Sequence, residues 1–494
     1  MIAEILDWLV TAFVLVLGVG ALAVVILFVI DVTQTSDAVR RNFPVIGRFR
    51  HLFSQLGEFF RQYFFAMDRE EMPFNRAQRD WVYRSAKGKG NVRPFGSTKN
   101  LQPVGTPIFV NSAWPALDEE AVEAGPMQIG PGAERPYTAP SFFNMSSMSY
   151  GSLSKPAVRA LSLGTAKAGC WMSTGEGGLA PAHLEGGGDV VFQIGTAKYG
   201  VRDDEGHLDE EKLRKIAAHP EVKMIELKLA QGAKPGKGGI LPAHKVTQEI
   251  ADIRHIPVGK DSISPNRHLD IANDQQLLDQ IERIRRVSGL PVGIKTVLGD
   301  DGWLDGFFAA ITERGKDCAP DFITIDGGDG GTGAAPMPLM DNVGMVAHEA
   351  LPLAVHLRAK HGLAERVRIV ISGKMITPSD VAWALATGAD FINAARGFMF
   401  SIGCIQAMKC HTNRCPTGVT THNKRLQRGL VPEDKADKVA NFVAQMRKEV
   451  NIIAHSCGVK SPRDLKPYHV RLVCPDGRSR RMDELHPDPV LQNG

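Results

Sequence analysis

Short apolar runs alternate with helical patterns from about residue 140 onward. Eight of these runs are candidate strands, and several are nearly all apolar, as expected for parallel strands that are buried on both faces of a sheet. They are residues 141–146, 170–173, 190–194, 224–229, 292–297, 322–325, 367–371 and 391–394. Stretches with helical spacing separate them, among others 274–287, 302–314, 343–360 and 378–386. The pattern predicts an α/β fold, a (β/α)₈ TIM barrel over residues 140–425, with an open doubly wound sheet as the alternative.

The N-terminal pattern is different, because no charged residue occurs from Trp8 to Ile30. A helix of about 20 apolar residues is long enough to cross the hydrocarbon core of a bilayer. The alternative is a cleaved signal peptide, which usually begins with positive charge and has a shorter apolar run. Here Glu4 and Asp7 precede the run, which favours a retained transmembrane anchor over residues 1–31.

The charges that flank this segment predict its orientation. Arginines follow it closely, and positive loops stay on the cytoplasmic side of a membrane; they are Arg40, Arg41, Arg48 and Arg50. We therefore expect a single-pass protein of the cell membrane whose catalytic domain is cytoplasmic.

The segments on either side of the predicted barrel have weaker patterns. Residues 32–139 read as a linker and an extended, partly helical wrapping arm. Within it, residues 49–65 have a helical pattern of aromatic residues and arginines. This helix either packs on the barrel, which we favour, or lies along the membrane surface. Residues 426–494 are predicted to form a C-terminal helical extension and tail.

Composition narrows the class of protein. Hydrophobic residues make up 43% and charged residues 23% of the 494 residues, which is typical of a globular protein. The net charge is only +4, and no basic run stands out, so we expect no nucleic-acid partner. The 7 cysteines are an odd number in a long chain, which argues against a secreted disulfide framework.

Three of the cysteines cluster late in the chain. Cys404, Cys410 and Cys415 have the spacing Cys-x5-Cys-x4-Cys, and Pro416 follows the last of them. Thiolates are the usual ligands of iron–sulfur clusters, and a proline after a ligating cysteine is common in ferredoxins. The spacing alone allows a three-iron cluster, a four-iron cluster with one open site, or a zinc site completed by His411.

The sequence around these cysteines resembles a motif of a known family. The run Gly-Cys-Ile-Gln-Ala-Met-Lys-Cys-His-Thr-Asn-Arg-Cys-Pro-Thr-Gly resembles the cluster motif in the synthase domain of glutamate synthase. Further blocks occur in that family's order; they are 148–154, 173–178, 226–235, 263–270 and 327–336. The resemblance covers residues 140–425 and implies FMN in the barrel and a [3Fe-4S] cluster on Cys404, Cys410 and Cys415.

The resemblance also implies which residues hold FMN. Ser372, Gly373 and Lys374 follow the seventh strand, and Arg396 and Gly397 follow the eighth, where TIM barrels commonly bind phosphate. A buried cation near the flavin stabilises its anionic reduced form. The family positions beside the flavin ring correspond to Lys295, Ser149 and Gln193.

The resemblance also implies which residues contact the substrate. In this family the pocket handles 2-oxoglutarate and its imine, and a dicarboxylate needs cationic and amide donors. The matching positions are Glu176, Lys228, Gln231 and Lys234, and Glu176 is the candidate for proton transfer. The resemblance thus implies FMN-dependent reduction of a 2-imino acid, in which 2-oxoglutarate and ammonia give L-glutamate.

The chain also departs from the family pattern. A hydrophobic segment stands where complete glutamate synthases carry a glutaminase domain, so ammonia is expected from solution or from a separate subunit. No Rossmann fingerprint opens a strand–helix unit, so the electron donor is expected to be a ferredoxin or a separate reductase subunit. Two alternatives stay open: an FMN and iron–sulfur oxidoreductase for another amine or 2-oxo acid, and a membrane electron-transfer module.

Overall fold

The computed structural model describes residues 1–487, apart from the side chain of His51. The chain forms two compact units, Met1–Ala77 and Gln78–Gly494. The domain boundaries predicted at residues 31, 139 and 425 stay predictions, and each unit is treated by itself below.

The N-terminal unit is helical. Its first helix, Ile2–Thr33, has a mean hydropathy of 3.2 over its most apolar window, and none of that window is buried. It is the one helix, among the residues that the structure describes, that is long and apolar enough to cross a membrane. Helices Ala38–Asn42 and Gly47–Phe60 follow, and a wider helical turn covers Arg61–Phe65.

The second unit contains a closed barrel of eight parallel strands. In chain order they are β1 (Phe143–Met145), β2 (Met172–Ser173), β3 (Val190–Ile194), β4 (Val222–Lys228), β5 (Val292–Thr296), β6 (Phe322–Asp326), β7 (Arg368–Ser372) and β8 (Phe391–Ala394). β8 pairs with β1 and thereby closes the sheet, with Ile392 opposite Phe143. The predicted TIM barrel is confirmed, and the alternative of an open doubly wound sheet is wrong.

Helices connect the strands, and local sequence explains where several of them begin and end. The Ser154 hydroxyl accepts a hydrogen bond from the Ala157 amide and caps helix Lys155–Ala168, a contact worth about 1 kcal/mol. Gly169 ends that helix in the left-handed conformation, with φ of 60°. The other helices of this unit are Arg76–Ala86 (which begins in the first unit), Pro181–Leu184, Glu210–Ala217, Gln248–Arg254, Asp274–Ser288, Gly302–Arg314, Met337–Asn342, Ala347–Lys360, Pro378–Thr387, Arg396–Ser401, Lys424–Gln427, Pro432–Ser456 and Met482–Leu485.

A β-hairpin packs against the barrel interior at the end where the strands begin. Its strands, Met127–Ile129 and Tyr137–Ala139, are antiparallel and lie in the segment that the sequence assigned to an extended arm. Ile129, Tyr137 and Ala139 share one buried cluster with residues at or near the amino ends of the barrel strands, namely Trp171, Val191, Met224, Phe322, Val370 and Phe391. The hairpin therefore fills the end of the barrel at which the strands begin and leaves the opposite mouth for a ligand.

The C-terminal region combines a long helix with a small sheet. Helix Pro432–Ser456 packs closely on helix Lys155–Ala168, because Gly164 leaves no side chain between itself and Val439. Strand Val470–Val473 pairs with Pro107–Phe109 on one side and with Ser479–Arg481 on the other. Two further short strands, Ile240–Leu241 and Ser262–Ile263, pair within the long connection from β4 to β5.

Candidate functional site at the carboxyl ends of the barrel strands

The polar motifs that follow the barrel strands lie at one mouth, because all eight strands run in the same direction. The loops after β1 and β2 touch directly. A Cβ atom on Gly175 would lie 2.5 Å from the Ser149 amide nitrogen, so only glycine allows this approach. Ser149 thereby lies against the loop that carries Glu176.

A buried carboxylate links four of the strands or their loops. Glu226 of β4 is 2% exposed and accepts hydrogen bonds from Gln193 Nε2 at 2.5 Å, Thr324 Oγ1 at 2.7 Å and Ser147 Oγ at 3.2 Å. The Gln193 amide also donates to Ser147 Oγ at 2.7 Å. Gln193, a predicted flavin contact, is therefore held in place by a glutamate to which the sequence assigned no role. Glu226 is one of three charged residues in β4, with Lys223 and Lys228, so its position alone does not single it out in the sequence.

Three of the four predicted substrate residues are in contact. Lys228 Nζ lies 3.1 Å from Glu176 Oε2 and donates to Gln231 Oε1 at 2.7 Å. The Glu176 side chain is 14% exposed, and glycines wall it in on two sides. A Cβ on Gly195 would lie 2.6 Å from the Glu176 Cβ, and one on Gly239 would lie 2.5 Å from its Oε1.

Cations dominate the surroundings of Glu176. Burial raises the pKa of Glu176, but the charges of Lys228, Lys234 and Arg254 outweigh it and hold this pKa below its ordinary value. Burial lowers the pKa of Lys234, with Glu176 opposing this effect and Lys228 adding to it. Lys234, the fourth predicted residue, thus lies within the same group of charges. Three cations face one carboxylate, so the site has an excess of positive charge.

Arg254 is a member of this group that sequence reasoning missed. It is 4% exposed, and it donates to Ser262 Oγ at 2.9 Å and to the Tyr150 carbonyl at 3.0 Å. Its guanidinium lies 5.0 Å from the centre of the Tyr199 ring, a cation–π distance. Arg254 ends a helix in the β4–β5 connection, so no strand-end pattern marks it in the sequence.

A second ion pair lies across β5 and β6. Lys295 is 4% exposed, and its Nζ lies 3.6 Å from Asp326 Oδ2. Asp326 also accepts hydrogen bonds from Ser372 Oγ at 2.5 Å and from the Gly232 amide at 2.9 Å. Burial raises the pKa of Asp326, but Lys295 and these hydrogen bonds outweigh it and keep the carboxyl ionised. The Ser372 hydroxyl, predicted to contact phosphate, is directed to Asp326 in this structure.

The glycine-rich segment 327–333 lies against the loop after β7 and against the start of the helix after β8. Gly373 has φ of 125°, and a Cβ there would lie 3.1 Å from the Gly327 amide nitrogen. A Cβ on Gly331 would lie 2.4 Å from the centre of the Arg396 guanidinium. Lys374 also adopts a positive φ, of 50°, which turns the backbone sharply after β7. These residues form a backbone-lined cradle with Arg396 on one wall.

Arg396 and Gly397, the two predicted phosphate contacts after β8, have different surroundings. Burial lowers the pKa of Arg396 to about 10, opposed by Asp329, Asp326, Cys404 and Cys410. The guanidinium therefore lies between the glycine-rich segment and the cysteine cluster. Gly397 is a packing position, because a Cβ there would lie 2.9 Å from the Phe442 ring of helix Pro432–Ser456.

The three clustered cysteines lie close enough to influence one another. Burial raises the pKa of Cys404 to about 12, and the sulfurs of Cys410 and Cys415 add to this effect. Burial also raises the pKa of Cys410, whereas hydrogen bonding outweighs burial and lowers the pKa of Cys415, whose Sγ lies 3.5 Å from Thr417 Oγ1. Within residues 1–487, no group of three potential ligands converges tightly enough to hold a single metal ion.

A buried lysine completes this region. Lys245 is 2% exposed, and its Nζ donates to the Cys410 carbonyl at 2.9 Å and to the Thr420 carbonyl at 3.0 Å. It anchors the cysteine loop to the β4–β5 connection and adds a cation near the sulfurs. Thiolates are the usual ligands of iron–sulfur clusters, so Cys404, Cys410 and Cys415 are the residues that could hold one.

Comparison with known proteins gives a consistent result. The conserved region in glutamate synthase matches residues 119–460. The glutamate synthase large subunit-like protein YerD of Bacillus subtilis (strain 168) is 38% identical over 512 residues, covering 95% of this chain and 97% of YerD. The archaeal glutamate synthase (NADPH) of Methanocaldococcus jannaschii is 33% identical over 327 residues, covering 66% of this chain and 60% of that protein.

Longer relatives match only in part. The glutamate synthase (NADPH) large chain of Bacillus subtilis is 31% identical over 329 residues, and the match covers 20% of that protein. Among solved structures, the flavin-binding domain of baker's yeast flavocytochrome b2 superposes with a TM-score of 0.45 at 12% identity, covering 84% of this chain and 83% of that chain. This chain therefore spans three-fifths or less of the archaeal relative and of the large chain.

Proposed function

Because this chain belongs to the glutamate synthase family, a family of oxidoreductases, we propose that its barrel binds FMN and reduces a 2-imino acid. The imine forms from 2-oxoglutarate and ammonia, and the product is L-glutamate. Cys404, Cys410 and Cys415 would hold a [3Fe-4S] cluster, which would receive electrons from a ferredoxin or a separate reductase subunit.

The observation that carries this proposal is the group of charges around Glu176. Lys228, Lys234 and Arg254 place three cations around one largely buried carboxylate. The excess of positive charge suits an anionic substrate, and a dicarboxylate such as 2-oxoglutarate needs two cationic partners. Gln231, held by Lys228, adds an amide next to them.

FMN fits the cradle at the ends of β6, β7 and β8. Gly331 and Gly373 let the glycine-rich segment, the loop after β7 and Arg396 approach one another closely, and Arg396 provides a cation for a phosphate on the same wall. Lys295 is a buried cation near the carboxyl end of β5. Ser149 and Gln193 approach from β1 and β3, and Ser372 supports the cradle through Asp326. Lys374 turns the backbone after β7, and Gly397 allows the helix after β8 to pack against Phe442.

The chain's own residues would bind and orient the substrate. When bound and reduced, FMN would supply a hydride to the imine carbon. Glu176 has a lowered pKa and is ionised at neutral pH, so it can accept a hydrogen bond from a protonated imine nitrogen. Lys228 and Arg254 would pair with the substrate carboxylates, and Lys234, whose pKa is lowered, is suited to proton transfer.

The location of the protein is part of the proposal. Helix Ile2–Thr33 would anchor it in the cell membrane as a single pass, and the arginines after this helix favour a cytoplasmic barrel. Reduced electron donors of the cytoplasm would then reach the cluster directly.

The test is anaerobic purification of the full chain, followed by flavin and iron analysis, EPR and a substrate screen. Flavin reoxidation and glutamate formation from 2-oxoglutarate and ammonium are expected with the chemically reduced protein. If another 2-oxo acid and amine reoxidise the flavin but 2-oxoglutarate and ammonium do not, the protein catalyses a related reaction and not glutamate synthesis. If electrons cross the protein but no substrate reoxidises the flavin, the protein is an electron-transfer module instead.

A further inference from the structure

Helix Gly47–Phe60 has one apolar side that no element of the N-terminal unit covers. On that side lie Phe49, Leu52, Phe53, Leu56 and Phe60, all exposed, and Phe53 is 64% exposed. The rings of Phe49 and Phe53 stack with their centres 6.2 Å apart. The opposite side carries Arg50, Ser54 and Glu58. Large apolar faces of this kind mark sites of interaction.

The structure fixes where this helix begins. Asp31, near the end of helix Ile2–Thr33, is fully buried, and Arg40 and Arg48 both donate to its carboxylate, with distances down to 2.6 Å and 2.7 Å. The Val45 amide donates to the same carboxylate at 3.0 Å. Arg48 is the second residue of helix Gly47–Phe60, so this helix starts beside the end of the long apolar helix.

This arrangement sets the depth of the amphipathic helix. If helix Ile2–Thr33 crosses a bilayer, its end at Thr33 lies at the level of the lipid headgroups. The ion pairs of Asp31 then hold the first turn of helix Gly47–Phe60 at that same level. An amphipathic helix at this depth buries its apolar face at the boundary between headgroups and acyl chains.

The charges of the segment agree with a lipid surface. Residues 34–65 contain five arginines but only two acidic residues, Asp37 and Glu58. Basic residues near a membrane are attracted to anionic headgroups. A protein partner for the same face would need no such excess of arginine.

We propose that residues 47–65 form an interfacial helix that lies on an anionic bilayer, with the phenylalanine side directed to the acyl chains. The inference rests on the proposed membrane anchor and adds a second membrane contact to it. The Asp31 ion pairs would fix the angle between the two helices and so the approach of the chain to the membrane.

The experiment uses the full chain in vesicles of phosphatidylcholine and phosphatidylglycerol, with bromine atoms on the acyl chains as quenchers. A genetically encoded environment-sensitive fluorescent amino acid replaces Phe53 in one protein, Ser54 in a second and Phe13 in a third. Phe13 lies within helix Ile2–Thr33 and reports insertion of the anchor, and Ser54 is the matched control on the polar side. Quenching at position 53 should exceed that at position 54 by roughly twofold or more.

The outcomes separate the two proposals. Quenching at position 13 together with equal, weak quenching at positions 53 and 54 overturns the interfacial helix but leaves the anchor intact. No quenching at position 13 overturns the anchor itself. Fluorescence at position 53 that depends on protein density and not on lipid assigns the face to a second copy, which also overturns the inference.

A variant pair tests the ion pairs that orient the helix. Arg48→Gln removes one partner of Asp31, whereas Arg41→Gln removes an equal charge from an exposed neighbouring position. Arg48→Gln should reduce quenching at position 53 by roughly half and leave quenching at position 13 unchanged. Equal effects of the two variants would mean that charge alone, and not the contact with Asp31, places the helix.

Discussion

Lys228 contacts Glu176 and Gln231 at the same time. Its Nζ lies 3.1 Å from Glu176 Oε2, on the loop after β2, and donates to Gln231 Oε1 at 2.7 Å. The side chains of Lys228 and Glu176 are 11% and 14% exposed, so solvent screens this pair only weakly. The ion pair therefore fixes a charged group at the mouth of the barrel before any substrate binds. It is the contact on which the proposed reaction depends most directly.

Removal of the lysine charge should damage substrate binding. Lys228→Met leaves Glu176 without its closest cation, so we expect the KM for 2-oxoglutarate to rise by about tenfold or more, in line with loss of a charged hydrogen bond. The control is Lys223→Met, on the same strand but 38% exposed and paired with Asp189. Steady-state kinetics with reduced protein measure both. A KM that is the same in the two variants would exclude Lys228 from the substrate site.

The same pair predicts a pH dependence. The pKa of Glu176 is held below the ordinary value of 4.5, so the carboxylate form, and the stability that it contributes, is fully present above that value. This stability is lost only as pH falls through the lower pKa of the folded state. Lys228→Met removes a cation that lowers the pKa of Glu176, so this pKa should rise. The acid limb of the kcat/KM profile should then move to higher pH. A profile measured over about pH 5 to 8 that does not move would contradict this role for Glu176.

Lys295 should tune the flavin. Lys295→Met removes a buried cation from the proposed flavin site, and the midpoint potential of bound FMN should fall on the order of 30 mV, which corresponds to about 1.4 kcal/mol for a two-electron couple. Lys316→Met is the control, because its ammonium group lies in an exposed contact with the Gly362 carbonyl. Spectroelectrochemical titration gives both values. An unchanged potential with FMN still bound would place Lys295 away from the flavin.

Two glycines of the same segment offer a matched test of the cradle. A Cβ on Gly331 would lie 2.4 Å from the Arg396 guanidinium carbon, whereas a Cβ on Gly333 would meet nothing within 4 Å. Gly331→Ala should displace Arg396 and weaken FMN binding by roughly tenfold, and Gly333→Ala should leave it unchanged. Fluorescence titration of the flavin-free protein measures the affinity. Similar affinity of both variants would mean that Arg396 does not contact the cofactor.

The cysteine cluster can be tested apart from FMN. Cys404→Ser should abolish the EPR signal of the cluster and lower the bound iron, while the ratio of flavin to protein stays unchanged. Cys474→Ser is the control, since that sulfur lies in a different part of the fold, 3.6 Å from the Leu472 carbonyl. Iron that remains in Cys404→Ser would exclude this residue as a ligand.

The barrel could be predicted because several of its strands are largely apolar and alternate with helical patterns. The bounds of the runs 190–194 and 391–394 agree with the structure; Asp189 and Gly195 flank the first run, and Asp390 precedes the second. The hairpin Met127–Ile129 with Tyr137–Ala139 was not predicted. Each of its strands is only three residues long, and its stability comes from the barrel interior rather than from its own sequence. The same holds for Val470–Val473, which pairs with a strand more than 350 residues earlier.

Members of the candidate site could be named from the sequence wherever a family motif ends a strand. Glu176, Lys228 and Gln231 could be named from motifs, and the structure brings them into contact. Arg254 and Glu226 could not, because a helix end and an internal strand position carry no distinctive local pattern. The direction of the Ser372 hydroxyl depends on Asp326, which only the pairing of β6 with β7 brings within reach.

The amino-acid sequence by itself determined the periodic elements of this protein, its apolar N-terminal helix and the identity of its chemical groups, because each depends on neighbours a few residues away. The tertiary structure decided which charges share a pocket and which hydroxyls are already engaged. Those properties depend on distances between residues tens to hundreds of positions apart, as in the ion pair of Lys295 with Asp326 and the anchoring of Cys410 by Lys245. Burial strengthens each such contact, and burial exists only once the barrel has closed.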